Sequence, residues 1–300
     1  MKGIILAAGY ATRFLPASKT IPKEMFPLID RPVIDYIVQE MVLSGIHDIL
    51  LVSSRRKKAM EDYFDREIEL TTVFAQTNEI EKLERIRPID ANIFMLRQQK
   101  MMGTGNALLL VEPFVQDEPF IVAYPDDLFF GPTPLSRQLM DAHATTGKTV
   151  LAVEGLPGQD VSRYGVIVPE NSDEPIESGR TVNMRQMVEK PFRGTEPSCF
   201  VSYGRYLYTP DIFPALKASA HSHDGYGEFT QTEAINMLAA RGNVVGLQIS
   251  GNRYDVGEPL GYVQTILQMA MQRPQFRQPM KEFMEQMLKD EGNGKKTRKS

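Results

Sequence analysis

Short, uniformly apolar runs alternate along the first half of the chain with segments whose apolar residues recur every three or four positions. Gly3-Ile4-Ile5-Leu6-Ala7 is apolar throughout and partly β-branched, which suits a strand covered on both faces of a parallel sheet. After Pro32, the residues Val33, Ile34, Ile37, Val38, Met41 and Val42 recur at helical spacing, and Gly45 stands where a helix stops. Ile49 to Ser53 predicts a second parallel strand. A third unit runs from a strand at Ile93 to Leu96, through a helix opened by Gly103-Thr104-Gly105 and continuing to Val111, to a strand at Phe120 to Tyr124 that Pro125-Asp126-Asp127 ends. The charged stretch from Thr77 to Arg87 reads as a surface helix or insertion.

The second half changes character. Val150 to Val153, Val166 to Val168, Met187 to Val188 and Phe200 to Tyr208 read as strands separated by turns, so a mixed extension of the sheet is expected. Helical patterns follow at Glu228 to Ala240, at Leu260 to Met271 and, in a last amphipathic segment, from Pro279 to Leu288. No internal repeat or low-complexity linker interrupts the chain. The predicted class is α/β and Rossmann-like, a largely parallel central sheet flanked by helices over residues 1–273, followed by a C-terminal helix and basic tail over 274–300.

Composition narrows the class without naming it. With 42% hydrophobic and 24% charged residues over 300 positions, the chain can bury a large core. One cysteine, Cys199, cannot form an internal disulfide, and with four histidines it offers no zinc spacing, so a reducing cytoplasm fits. No window reaches the ~18 apolar residues of a membrane span, and no membrane partner is expected. A net charge of −4 argues against a nucleic-acid partner, although Lys295-Lys296-Thr297-Arg298-Lys299 is basic; that tail reads as a solvated, frayed end.

The candidate chemistry lies at the ends of the predicted strands, where open α/β sheets bind ligands. Behind the first strand, Gly9 lets backbone N–H groups approach an anion, and Arg13, Lys19 and Lys23 add charge suited to a polyphosphate. An exposed basic loop is the plainer alternative. Asp126, at the end of the Phe120–Tyr124 strand, is the candidate ligand for a hard divalent ion such as Mg2+, which favours carboxylate oxygen and keeps several waters. Asp127 reads as a loop cap.

Taken together, Leu6-Ala7-Ala8-Gly9 with Thr12-Arg13, Leu15-Pro16-Ala17 with Lys19, Ile21-Pro22-Lys23-Glu24-Met25, Arg97-Gln98, Gly103-Thr104-Gly105, Pro125-Asp126, Tyr164-Gly165-Val166, Val188-Glu189-Lys190-Pro191, Gly204-Arg205-Tyr206 and Tyr254-Asp255-Val256-Gly257 with Gly261-Tyr262 are similar to the motifs of the sugar-1-phosphate nucleotidyltransferases. Pro22-Lys23-Glu24-Met25 resembles the bacterial UTP-glucose-1-phosphate uridylyltransferase branch more than the thymidylyl branch. The resemblance implies a fold of the nucleotidyltransferase and glycosyltransferase-A type. It also implies the reaction of UTP with glucose 1-phosphate to give UDP-glucose and pyrophosphate. Arg13, Lys23, Asp126 and Lys190 would be the catalytic residues, and Ala8, Gly9, Glu24, Gln98 and Gly103 the nucleotide-binding ones. Gly165, Glu189, Lys190 and Gly204 would line the sugar-phosphate side, and Asp255 would join Asp126 as a magnesium ligand. For Gln98, within the run Gln98-Gln99-Lys100, a solvated polar side chain is the competing reading.

Four positions depart from the family pattern. Ala11 stands where a second glycine is usual, which hinders the chain if that position needs positive φ. Asn106 follows the Gly-Thr-Gly turn in place of a more frequent histidine. Asn252 stands where a lysine often precedes Asp255, with Arg253 beside it as the candidate replacement for a phosphate contact. Glu228-Phe229-Thr230-Gln231-Thr232-Glu233 follows the family's helix start only loosely. Two other classes stay open: a glycosyltransferase sharing metal and nucleotide, and a non-catalytic nucleotide-binding relative in which Ala11 and Asn252 are decay. A nicotinamide-dependent dehydrogenase lacks its glycine spacing here. The family forms dimers and tetramers, and Met269, Met271, Met280, Met284 and Met287 suit either a homo-oligomeric interface or packing between terminal helices.

Overall fold

Ile4 and Ile5 are neighbours that point to opposite sides of one strand, and neither is exposed. That pair organises the fold, because each begins a separate hydrophobic layer. The computed structural model describes residues 1–170, 176–223, 225 and 227–297, with side chains as far as residue 290; the side chains of the basic run 295–299 lie outside the described residues.

The chain opens with β1 (Lys2–Leu6), three single turns of 3-10 helix (Thr12–Phe14, Ala17–Lys19, Lys23–Met25), a hairpin of β2 (Pro27–Leu28) and β3 (Arg31–Pro32), and α1 (Val33–Leu43). It continues with β4 (Asp48–Ser53), α2 (Lys58–Phe64), α3 (Ile68–Gln76), α4 (Ile80–Arg85), β5 (Asn92–Arg97), α5 (Thr104–Val115), β6 (Phe120–Ala123), β7 (Asp127–Phe130), α6 (Leu135–Thr146) and β8 (Thr149–Gly155). Then come β9 (Gly165–Pro169), β10 (Thr181–Glu189), β11 (Phe200–Tyr208), α7 (Ile212–Ser222), α8 (Thr232–Ala239), β12 (Val244–Gln248), β13 (Asn252–Asp255), α9 (Pro259–Gln272) and α10 (Pro274–Thr297).

Nine strands form one sheet in the order β5-β4-β1-β6-β11-β8-β12-β10-β9. The expectation of a largely parallel sheet is corrected: it is mixed. β5, β4, β1 and β6 run parallel, as do β8 and β12. β11 is antiparallel to β6, β8 and β9, and β10 to β12 and β9. The cause is the connections. β9 and β10 follow one another with no helix among the described residues to carry the chain back across a face, so β10 returns antiparallel beside β9, and β11 then pairs antiparallel with β9, β8 and β6.

Helices cover both faces. On the Ile5 side, Ile34, Ile37 and Met41 of α1 and Leu135 and Leu139 of α6 pack with Leu51, Ile121 and Ala123. On the Ile4 side, Leu108 and Val111 of α5, Leu216 of α7 and Ile235 of α8 pack with Val52 and Val122. A polar bridge crosses the first layer. The fully buried Arg205 guanidinium of β11 pairs with Glu40 of α1 and donates to Ser136 Oγ of α6 at 3.0 Å, and burial lowers its pKa to about 9. Gly45 takes φ of 85° just past α1, a left-handed stop that a side chain resists.

Because the chain moves from β1 outward to β4 and β5 and then returns to place β6 on the other side of β1, the strand order reverses between β1 and β6. The loops leaving their C-terminal ends part there and leave a crevice. The helix expected from Glu228 begins only at Thr232, because the preceding residues clasp another loop, described below. The expected surface element between Thr77 and Arg87 is α4; α3 precedes it, and neither helix buries a residue fully. Met269 belongs to the core, whereas Met287 is exposed on α10.

Candidate functional site

The loop after β1 turns in three short helical steps, with Pro16 and Pro22 standing immediately before the second and the third. Ala11 adopts φ 54° and ψ 41°, the left-handed region in which glycine is at ease and alanine is strained. Its carbonyl accepts from Ser18 Oγ at 2.7 Å, which fixes the loop on itself. Ala8 is buried and Gly9 exposed, with open space around the latter. Arg13 lies exposed on the first turn and Lys23 half-buried on the third.

Lys23 reaches across the crevice and forms an ion pair with Asp126 Oδ2, at the end of β6. Burial opposes charge on both groups, but their mutual attraction outweighs it: the Lys23 pKa is raised and the Asp126 carboxyl is held below its ordinary range, helped by Arg13. Beside Lys23, Glu24 is buried and accepts from Lys57 Nζ at 2.6 Å through one oxygen, while its other oxygen, Oε1, is buried with no partner among the described residues.

Asp255 arrives from the opposite end of the chain. β13 pairs antiparallel with β7, setting Asp255 opposite Asp127, and Val256 N donates to the Asp126 carbonyl at 2.9 Å. A Cβ on Gly257 would lie 2.7 Å from Asp126 Oδ2 and 3.1 Å from Asp255 Oδ1, so the two carboxylates face one small space that only glycine leaves open. No group of three or more metal-holding side chains occurs among the described residues. A pair of hard oxygen ligands nevertheless fits magnesium, which completes its shell with phosphate and water.

Asp127 is more than a loop cap. Its Oδ2 accepts from Gly204 N at 3.0 Å and its Oδ1 from Arg253 Nε at 2.6 Å. Burial raises its pKa even against the guanidinium. Arg253, the candidate replacement for a missing phosphate contact, is turned inward and committed to this carboxylate. Gly204 is buried, and a Cβ there would meet Tyr124 Cβ at 2.7 Å.

Gln98 is 4% exposed, which sets aside the solvated reading. Its amide donates to Asn106 Oδ1 at 2.9 Å and to the Gly103 carbonyl at 3.3 Å, so the Asn that departs from the family pattern holds it. Gly103 has φ of 95°, and a Cβ there would fall 2.9 Å from Phe229 N. The loosely matching segment before α8 thus clamps the turn: Phe229 N donates to the Met102 carbonyl at 3.1 Å, and Gly105 N to the Phe229 carbonyl at 2.9 Å. Gln231, which the sequence did not single out, takes a hydrogen bond from Thr104 Oγ1 and donates to Tyr124 Oη at 2.6 Å.

On the far lip, Glu189 of β10 lies opposite Gly165 of β9, and a Cβ on Gly165 would sit 3.1 Å from Glu189 Oε2. Lys190 follows with φ of 46°, its N–H donating to the Tyr164 carbonyl at 3.0 Å. Its ammonium is largely exposed, 3.7 Å from Glu189. The structure therefore gathers Arg13, Lys23, Asp126 and Asp255 at the crevice and places Gly165, Glu189 and Lys190 together on one edge.

The strand-order reversal of an α/β sheet, with acidic and basic side chains converging on it, is a place where such folds bind anionic ligands, and the chain belongs to the nucleotidyl transferase family, whose model matches residues 2–272. Within it, the chain is 41% identical over 289 residues to the UTP–glucose-1-phosphate uridylyltransferase of Staphylococcus epidermidis, covering 95% of this chain and 98% of that one. It is 40% identical over 292 residues to the enzyme of the same name from Bacillus subtilis, at 97% and 98% coverage. A UTP-bound UGPase from Acinetobacter baumannii superposes with a TM-score of 0.84 at 31% identity, covering 94% of this chain and 98% of that one.

Proposed function

We propose that the chain transfers a uridylyl group from UTP to α-D-glucose 1-phosphate, giving UDP-glucose and pyrophosphate. The observation that carries this reading is the convergence of Lys23, Asp126 and Asp255 at the crevice, in a fold shared with a UTP-bound relative.

The sugar phosphate is already anionic at neutral pH, so its oxygen needs no strong general base. That oxygen bonds to the α-phosphorus of UTP, and the bond to the bridging oxygen breaks, the electron pair leaving with pyrophosphate. Charge repulsion is the obstacle, and positioned cations answer it. Lys23, held charged by Asp126, serves the triphosphate together with Arg13. Lys190, exposed on the opposite lip, takes the phosphate of the sugar, and Glu189 and Gly165 meet its hydroxyls. The backbone at Ala8 and Gly9, with Glu24, Gln98 and Gly103, reads the nucleotide. Mg2+ held by Asp126 and Asp255 would neutralise phosphate oxygens.

Among the described residues no helix is long and apolar enough to cross a membrane, and we place the protein in the cytoplasm on its single half-buried thiol. Phe276, Phe283, Met287 and Leu288 expose apolar surface along α10, which supports a homo-oligomer; light scattering that finds only monomer overturns that part. The deciding assay is magnesium-dependent pyrophosphate release with UTP, dTTP, CTP, ATP and GTP against glucose 1-phosphate and other sugar phosphates. Release confined largely to UTP with glucose 1-phosphate is expected. UTP binding without turnover for any sugar phosphate refutes the reading in favour of a non-catalytic relative.

A further inference from the structure

Arg253 touches neither the basic loop nor the nucleotide turn, yet it reaches three parts of the site at once. Its guanidinium carbon lies 4.3 Å from the centre of the Tyr203 ring and 4.9 Å from that of Tyr164. Both Nε and Nη2 contact Asp127 Oδ1, at 2.6 and 2.5 Å, and Nη2 lies 3.7 Å from Asp255 Oδ2. Each partner holds a neighbour in turn. Asp127 fixes Gly204 N, the Tyr164 carbonyl receives Lys190 N, and Asp255 faces Asp126 across the Gly257 gap.

We infer that Arg253 is a positioning residue that sets the sugar-phosphate edge at a fixed distance from the paired carboxylates, an inference that rests on the function proposed above. A planar guanidinium suits this task because it stacks on aromatic rings through its face while donating through its edge. It also removes Asp127 from the set of free carboxylates, leaving Asp126 and Asp255 turned toward the gap. Asn252, in the place of the family's frequent lysine, is not compensated for by Arg253: the Arg253 side chain is 12% exposed and its Nε and Nη2 are committed to Asp127.

The test separates the two substrates. In Arg253→Lys the charge remains but the stacked, two-donor geometry is lost, so KM for glucose 1-phosphate rises about tenfold or more. UTP binding without added Mg2+, followed by thermal shift, stays within about twofold, because Arg253 contacts the carboxylates Asp127 and Asp255 and none of Ala8, Gly9, Glu24, Gln98 and Gly103. Arg253→Met leaves Asp127 buried without its cation and can unfold, so the paired variant Asp127→Asn with Arg253→Met is measured beside it. The amide oxygen that Asp127→Asn introduces can still accept from Gly204 N. If the paired variant keeps the raised KM for glucose 1-phosphate, the positioning role stands. Recovery of the wild-type KM shows that Arg253 only neutralises Asp127 and overturns the inference, as does equal loss for both substrates in Arg253→Lys. Pyrophosphate release by the wild-type protein is the control: its absence sinks the proposed function, whereas wild-type activity with an unaffected Arg253→Lys sinks only this inference.

Discussion

Replacing Lys57 with Met strands a carboxylate inside the protein. Lys57 and Glu24 have side chains only 5% and 1% exposed, and their 2.6 Å contact ties the turn that carries Lys23 to the start of α2. The exposed pair Lys58 and Asp62, next to it in sequence, has side chains 76% and 61% exposed, and water screens it to a small contribution. Burial changes the scale, because losing one member of a dry pair leaves the other charge without compensation, at a cost of about 3–5 kcal/mol. For a chain of this size, at ~2 °C per kcal/mol, Lys57→Met should melt roughly 6–10 °C lower than wild type in calorimetry. Glu24→Gln combined with Lys57→Met removes both charges and should recover most of that loss, since replacing a buried pair with neutral side chains of similar volume is often close to neutral. A single variant within about 1 kcal/mol of wild type, or a double variant no more stable than the single one, would refute the reasoning.

Three further outcomes are expected. Asp126→Asn should lower kcat about a hundredfold or more; in chemical denaturation, because the folded carboxyl pKa lies below its ordinary 3.8, the electrostatic part of its stability difference from wild type should be steady from pH 6 to 8 and decline progressively as pH falls below about 4 through the folded pKa, so a constant difference down to pH 2 contradicts the ion pair. Ala11→Gly should raise stability by ~0.5–1 kcal/mol, relief of the left-handed strain exceeding the extra entropy of glycine in the unfolded chain; a melting temperature lowered by several degrees argues against strain there. Gly103→Ala should raise KM for UTP at least about tenfold by pushing the turn off Phe229, with a smaller change for glucose 1-phosphate; unchanged UTP kinetics would show that the turn does not serve the nucleotide.

Most strands that carry a short apolar run were legible in the sequence, whether fully buried or, like β5, half exposed: β1, β4, β5, β6, β8, β9 and β11 lie within a residue or two of their expected places. β12 went unseen because Gly246 breaks its run, where a Cβ would meet Val153 Cγ2 at 2.9 Å. α6 carries enough polar residues to hide its apolar stripe, and β7 and β13 are four-residue strands outside the main sheet. The candidate site was legible one residue at a time and through family likeness. That Asp126 meets Lys23 and faces Asp255 is tertiary information, carried by the β7–β13 ribbon and by Gly257 rather than by any local spacing. Gln98 lay in a polar run, and its burial depends on Asn106 and Gly103, which only the fold brings against it.

The place of β12 in the sheet has a bearing on how the molecule is made. Residues 244–248 are among the last strand residues synthesised, yet they occupy the interior, between β8 and β10. Until they leave the ribosome, β8 presents an unpaired edge of apolar residues, and Asp255, a few residues behind, has not emerged. Vectorial synthesis thus gives a long interval in which the strand-order crevice exists with one of its carboxylates missing and a sticky edge beside it. A nascent chain stalled anywhere short of residue 255 should be a client of holding chaperones and inert toward its substrates, so that maturation of the sheet and onset of catalysis occur in the same late step.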